Sequence, residues 1–182
     1  MGYTHYIYKK PDIEDKTWKL LCEDTKTLLK SADVPLTYVQ DEEDKYGYLV
    51  SENQINFNGQ GKDSHENVYF PKTTSPEESP NSYGKVFSFC KTARKPYDKY
   101  VTAFYLLAKF HMQEDITILS DGKVSDWQEG LDLLNNLFEY GATLTEYPEG
   151  TFDEEYQKDL DFAEIKFEYH NTISVDEFEK SL

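Results

Sequence analysis

A single α+β domain is the fold this sequence predicts, on three observations. Stretches alternating aromatic or β-branched residues with polar ones recur at 2–9, 54–58, 86–90 and 115–119, the two-residue period of a strand. Between them lie longer segments, at 12–34, 97–112 and 125–138, whose apolar residues repeat at helical spacing. And 182 residues suffice for one sizeable core.

Taken in order, Gly2 to Lys9 reads G-Y-T-H-Y-I-Y-K, an N-terminal strand with Tyr3, His5 and Ile7 on one side. Pro11-Asp12 opens a helix whose stripe is Trp18, Leu21, Cys22, Thr25, Leu28 and Leu29, and Pro35 stops it. Leu36 to Glu52 fits either a short strand or an irregular loop around the acidic run at 41–44. Gln54 to Asn58 is a half-buried strand ended by Gly59. Gln60 to Ser82, with Pro71, Pro76 and Pro80, reads as a long surface loop. Val86 to Cys90 returns to strand, and Pro96 is well placed to start a helix that is almost wholly apolar from Tyr100 to Ala108. A strand at Asp115–Leu119 closes on the turn Ser120-Asp121-Gly122. Ser125 and Gln128 have capping-box spacing ahead of the stripe Trp127, Leu131, Leu134 and Phe138, with Gly141 as a cap beyond the end.

The order β-α-β-β-α-β-α is the one a ferredoxin-like split βαβ arrangement uses, although another α+β strand order fits it almost as well. Residues 1–145 form the predicted domain. Residues 146–182, with twelve acids and three lysines, read as an acidic C-terminal extension in which Ala163–Tyr169 can add an edge strand.

The net charge of −16 opposes general nucleic-acid binding, which needs a broad Lys/Arg face, and opposes an anionic membrane surface. No signal peptide, membrane-spanning run or myristoylation signal is apparent (the sixth residue is Tyr6), so a cytoplasmic location is expected. Cys22 and Cys90 make no metal-ligand spacing and no disulfide framework, and neither a metal nor a cofactor is expected.

Against that acidity, Lys85 to Lys109 holds six basic residues and one acid, including the only arginine of the chain, Arg94. The path strand, basic loop, Pro96, helix brings Lys91, Thr92, Arg94, Lys95 and Tyr97 to a helix start. There the first backbone N–H groups lack internal partners and the dipole is positive. Lys95 offers no acceptor as an N-cap, so the N–H groups of Tyr97 and Asp98 are expected to face an external anion. Arg94 can grip a phosphate or carboxylate with two parallel bonds. A solvated turn that merely balances the acidic surface is the plain alternative. His5 is as well suited to a structural role as to a site, and His65-Glu66 lies in the polar loop. The pair is not a zinc motif, since Tyr69 stands where a second histidine would be. Cys90 beside Lys91 has surroundings that lower a thiol pKa. His111 ends the apolar helix, and Asp121 is a secondary site candidate.

The motifs Gly2–Tyr6 (G-Y-T-H-Y), Phe57–Gly59 (F-N-G), His65-Glu66, Phe89–Asp98 (F-C-K-T-A-R-K-P-Y-D) and Ser120–Gly122 resemble those of a family of small uncharacterised bacteriophage and bacterial proteins. The resemblance covers Met1 to Trp127, with Ile7 where the family often has Trp. It implies that these polar points share a pocket formed by Tyr3, His5, His65, Glu66, Lys91, Thr92, Arg94, Lys95, Tyr97 and Asp121. For a phage-borne protein it implies an accessory role in the host cytoplasm, such as sequestering a nucleotide-type defence messenger. Tyr3, Tyr6, Phe89 and Tyr97 would stack on the base while Lys91, Arg94 and Lys95 hold phosphates. Two other functions fit the residues. One is an enzyme acting on such a ligand through His5, His65-Glu66 or Cys90; the other is an acidic inhibitor of a host protein. A homo-oligomer built through strand edges is also open.

Overall fold

The computed structural model describes residues 2–39, 47–150 and 159–169; the acidic run at 41–44 and His170 lie outside them. The strands are β1 (Thr4–Lys9), β2 (Leu36–Thr37), β3 (Leu49–Val50), β4 (Gln54–Gly59), β5 (Val68–Pro71), β6 (Val86–Lys91), β7 (Ile116–Ser120), β8 (Ala142–Thr145) and β9 (Glu164–Phe167). The α-helices are α1 (Asp15–Lys30), α2 (Asp98–Met112) and α3 (Gln128–Leu137). Helices and antiparallel sheets make one α+β domain.

The first sheet holds a split βαβ arrangement, but the strands do not join into the single sheet of a ferredoxin-like fold. One sheet runs β6-β1-β7 and a second is built on β4, which pairs with β2, β3 and β5. Strands β6 and β7 are both antiparallel to β1 and so parallel to each other, and α2 joins them, which makes β6-α2-β7 a split βαβ unit with β1 between its strands. β1 is the central strand of the first sheet because its alternation gives it a face for each side. His5, Ile7 and Lys9 are buried, and Tyr6 and Tyr8 are partly exposed.

Helix α2 passes between the two sheets, which is why its sequence is apolar on nearly all sides. Phe104 meets Phe57 and Phe70 of the second sheet edge-on at 5.8 and 5.2 Å, while Tyr105 faces His5 of the first at 6.3 Å. His111, at the far end of the helix, is held by Asp24 of α1 at 2.6 Å.

Several boundaries differ from the sequence reading for local reasons. Helix α1 starts at Asp15 because Asp12 bridges to Thr73 and the Ile13 N–H donates to the Lys72 carbonyl. The stretch 60–82 is not one loop: it holds a 3-10 turn at Gly61–Asp63 and strand β5. Helix α3 is preceded by a 3-10 turn, Val124–Trp127, and Asp126 rather than Ser125 supplies its cap by accepting from the Lys123 N–H at 2.8 Å.

Residues 159–169 pack onto the domain. Asp159 accepts from the buried Lys85 ammonium and the Thr117 hydroxyl, both at 2.7 Å, and Asp161 pairs with Lys109 at 2.7 Å. The Phe162 ring lies 4.6 Å from Trp127, and β9 pairs with β8. Two of the six basic residues between 85 and 109 are thereby neutralised from the C-terminal acids.

The outer edge of β6 is closed at both ends in the same way. At one end Lys85 donates its N–H to Asn81 Oδ1 and accepts from the Asn81 N–H, at 3.0 and 2.8 Å. At the other, Lys91 donates its N–H to Glu66 Oε2 and accepts from the Glu66 N–H, at 2.7 and 3.2 Å. Between these stoppers stand the exposed rings of Phe87 and Phe89.

Candidate functional site

The antiparallel register places His5 between Cys90 of β6 and Ser120 of β7 on the inner face of the first sheet. The ring is wholly buried, so both nitrogens need partners. Ser120 Oγ accepts from the Gly122 N–H at 2.9 Å and from Trp127 Nε1–H at 3.1 Å. With both lone pairs taken, its hydroxyl proton points to His5 Nδ1, 2.9 Å away. His5 is therefore protonated on Nε2, which donates to Asp98 Oδ1 at 2.7 Å. The same oxygen accepts from the buried Thr92 hydroxyl at 2.6 Å. Edge-on contacts with Tyr3 and Trp127, at 4.9 and 5.1 Å, complete the box.

Ser120–His5–Asp98 has the connectivity of an acyl-transfer triad, but not its chemistry. A nucleophilic serine needs a free lone pair facing substrate, and here both are occupied. The network is a clamp that ties β1, β7 and the start of α2 together.

That clamp also settles the helix N-terminus. The Asp98 N–H donates to the Lys95 carbonyl at 2.9 Å, so it does not face an external anion. The charge at the positive end of the α2 dipole is the protein's own Asp98 carboxylate.

Just before it, the chain makes a tight turn. Ala93 and Arg94 both have positive φ, 49° and 57°, and the Lys95 N–H donates to the Thr92 carbonyl at 3.0 Å. Two successive left-handed residues closed by that bond form a type I′ turn, normally Asn-Gly or Gly-Gly. The turn lays the Arg94 guanidinium 4.0 Å over the ring of Tyr3. One guanidinium nitrogen, Nη1, donates to Asp126 Oδ1 at 2.7 Å. Asp126 raises the Arg94 pKa, and the Lys123 N–H and Arg94 together hold the Asp126 carboxyl below the usual range. Beneath, Tyr3 is buried, and its hydroxyl is pressed against Gly122 close to Ser120, with no well-formed hydrogen bond among the described residues. Burial and the neighbouring Asp98 and Asp126 push its pKa up.

The other sequence candidates fall into separate places. Glu66 sits at Lys91, and its carbonyl accepts from the Tyr97 hydroxyl at 2.6 Å and from Cys90 Sγ at 3.5 Å. Tyr97 is fully buried and so offers no ring for a base to stack on. Cys90 does not have the lowered pKa its basic neighbour suggests: burial, then Glu66 and Asp98, push the thiol up. Lys95 donates to the Lys62 carbonyl at 2.8 Å. His65 is tied through its backbone to the buried amide of Asn58, and its Nδ1 is buried without a partner among the described residues. Asp121 accepts from the Thr4 N–H and the Tyr6 hydroxyl, at 3.0 and 3.1 Å, fixing the turn beside Tyr3.

Thus Tyr3, His5, Thr92 and Arg94 converge, Asp121 borders them, and Lys91, Glu66 and Tyr97 form a neighbouring cluster. Asp98, Ser120, Asp126 and Trp127 belong to the site, although the sequence places Asp98 at a helix start, Ser120 in a turn and Trp127 in a helical stripe, and gives Asp126 no role. Their one signal was position, each standing at the end of a predicted element. Two clefts are lined by neither Ala93 nor Arg94. One, of about 400 Å³, is lined by Gly122, Lys123, Glu146, Tyr147 and Phe162; the other, of about 470 Å³, lies along Phe110 and Phe167. Among the described residues no helix is long and apolar enough to cross a membrane, and no three His, Cys, Asp or Glu side chains gather as a metal site.

Fold and site define an α+β protein that presents its only arginine on a left-handed turn above a sealed histidine–carboxylate clamp. Set against protein-family models, curated proteins and solved structures, the chain finds no match in any of the three.

Proposed function

We propose that this protein binds a small anionic ligand of nucleotide type at the Arg94 turn and holds it without turnover. One observation carries the reading: Ala93 and Arg94 both occupy the left-handed region. That region costs a residue with a side chain roughly 1–2 kcal/mol. Glycine at either position would relieve it, and an exposed ion pair such as Arg94–Asp126 returns little. Strain of this sort concentrates where a side chain must be aimed at a ligand. The result here is a guanidinium backed by an aromatic ring, a form suited to phosphate.

Binding is favoured over catalysis by the state of the candidate catalytic groups. His5 is sealed with both nitrogens engaged, the Ser120 oxygen is saturated, and the Cys90 thiol is held protonated by burial. The reading of the chain as an acidic inhibitor of a host protein draws on its C-terminal acids, of which Asp159 and Asp161 are turned inward onto Lys85 and Lys109. The motif resemblance to bacteriophage proteins gives the proposal its biological form, the capture of a defence messenger in the host cytoplasm.

Isothermal titration calorimetry against cyclic and linear nucleotides and pyrophosphate tests it. Wild type is expected to bind at least one, returning it intact by chromatography, and Arg94→Ala to lose tenfold or more in affinity, about 1.4 kcal/mol of binding free energy. No binding by wild type, or equal binding by the variant, overturns it.

A further inference from the structure

The structure assigns to Asp126 the role of a built-in competitor: its carboxylate holds the Arg94 guanidinium in the absence of ligand and must yield for a phosphate to bind. The inference rests on the ligand-binding reading above and names how that site is regulated.

The geometry of the pair carries it. Asp126 is not free to embrace the guanidinium, because Oδ2 is already bound to the Lys123 N–H at 2.8 Å as the cap of the turn before α3. Only Oδ1 reaches Arg94, through the single nitrogen Nη1 at 2.7 Å. A guanidinium has five donors arranged for two parallel bonds, so a one-point contact leaves its bidentate capacity unused. The Arg94 side chain remains 59% exposed, and its aromatic backing by Tyr3 does not depend on Asp126. A phosphate group, with several oxygens and greater charge, can take the two-point contact that Asp126 cannot. The carboxylate then keeps its capping bond and gives up only Arg94. Weak monoanions, which match a carboxylate but do not surpass it, are excluded. Asp126 therefore sets a threshold that favours phosphates over carboxylates.

The test uses the full chain with pyrophosphate and acetate as probes, titrated at one ionic strength. Variants are Asp126→Asn, which keeps an acceptor for Lys123, and Asp126→Ser, a second neutral cap. Glu129→Gln removes a nearby exposed acid from the first turn of α3 and controls for net charge. If Arg94 is free only a tenth to a fifth of the time, releasing it raises apparent affinity about five- to tenfold. The expected result is that gain for pyrophosphate in both Asp126 variants, the appearance of acetate binding, and no comparable gain in Glu129→Gln. Unchanged or weaker pyrophosphate binding in the Asp126 variants, or an equal gain in Glu129→Gln, overturns the competitor role while leaving the site standing. Absence of binding in every variant overturns the site itself.

Discussion

Strand β1 buries two polar side chains on one face, two pleats apart, and treats them in opposite ways. His5, at one end, has a partner for each ring nitrogen. Lys9, at the other, is just as hidden, yet among the described residues its ammonium reaches only the Lys10 carbonyl at 3.3 Å and the Phe70 ring at 5.5 Å. Burial lowers its pKa to about 8, against the pull of Glu78 and Asp12. The lesson is that depth alone does not decide what a buried polar group contributes. A saturated group fixes three elements in place, while a poorly met one is a standing liability.

Removing the saturated group should produce the largest effect. His5→Ala strands the Asp98 carboxylate and the Ser120 hydroxyl and opens a cavity. A loss of about 3 kcal/mol in urea unfolding is expected. His5→Phe keeps the ring contacts without the nitrogens and should lose nearly as much; stability equal to wild type would show that packing, not bonding, makes the difference. Ser120→Ala comes next, at about 1–2 kcal/mol, since the N–H groups of Gly122 and Trp127 lose their acceptor.

Lys9→Met should act with the opposite sign, stabilising the protein at pH 7 by on the order of 1 kcal/mol. Below about pH 8 the lysine is protonated whether the chain is folded or not, and the full penalty of burying its charge stands. Between about 8 and 10.5 the unfolded chain keeps a proton that the folded chain has released, so wild-type stability rises with pH across that window. Unfolding midpoints measured from pH 7 to 10.5 should climb for wild type relative to the methionine variant. Parallel curves would mean that Lys9 finds better company than it shows here.

Much of the fold was legible because it is written in short-range pattern. The alternation of Gly2–Lys9 and the apolar run of α2 each announce an element whose environment is uniform along its length. Strand β5 was not legible. Val68–Pro71 is four residues long and sits among turn formers, and only pairing with β4 makes it a strand. The separate sheet on β4 was equally hidden, since order along the chain leaves strand neighbours open. At the site, Lys91 to Lys95 could be found because they are contiguous and basic. Asp126 and Trp127 could not, because their roles depend on β7 running beside β1, which carries Tyr3 and His5 to them. The left-handed pair at Ala93–Arg94 left no trace either, as neither residue is a usual carrier of that conformation.

The twin stoppers on β6 bear on how crowded a solution this protein can tolerate. An edge strand with two bare phenylalanines is a template for its own kind, and seven consecutive residues of it would suffice to start a growing stack. Asn81 and Glu66 cut the available run to the five residues between Lys85 and Lys91, short of that length. Two local hydrogen-bond pairs thus shorten the open edge while the rings of Phe87 and Phe89 stay exposed.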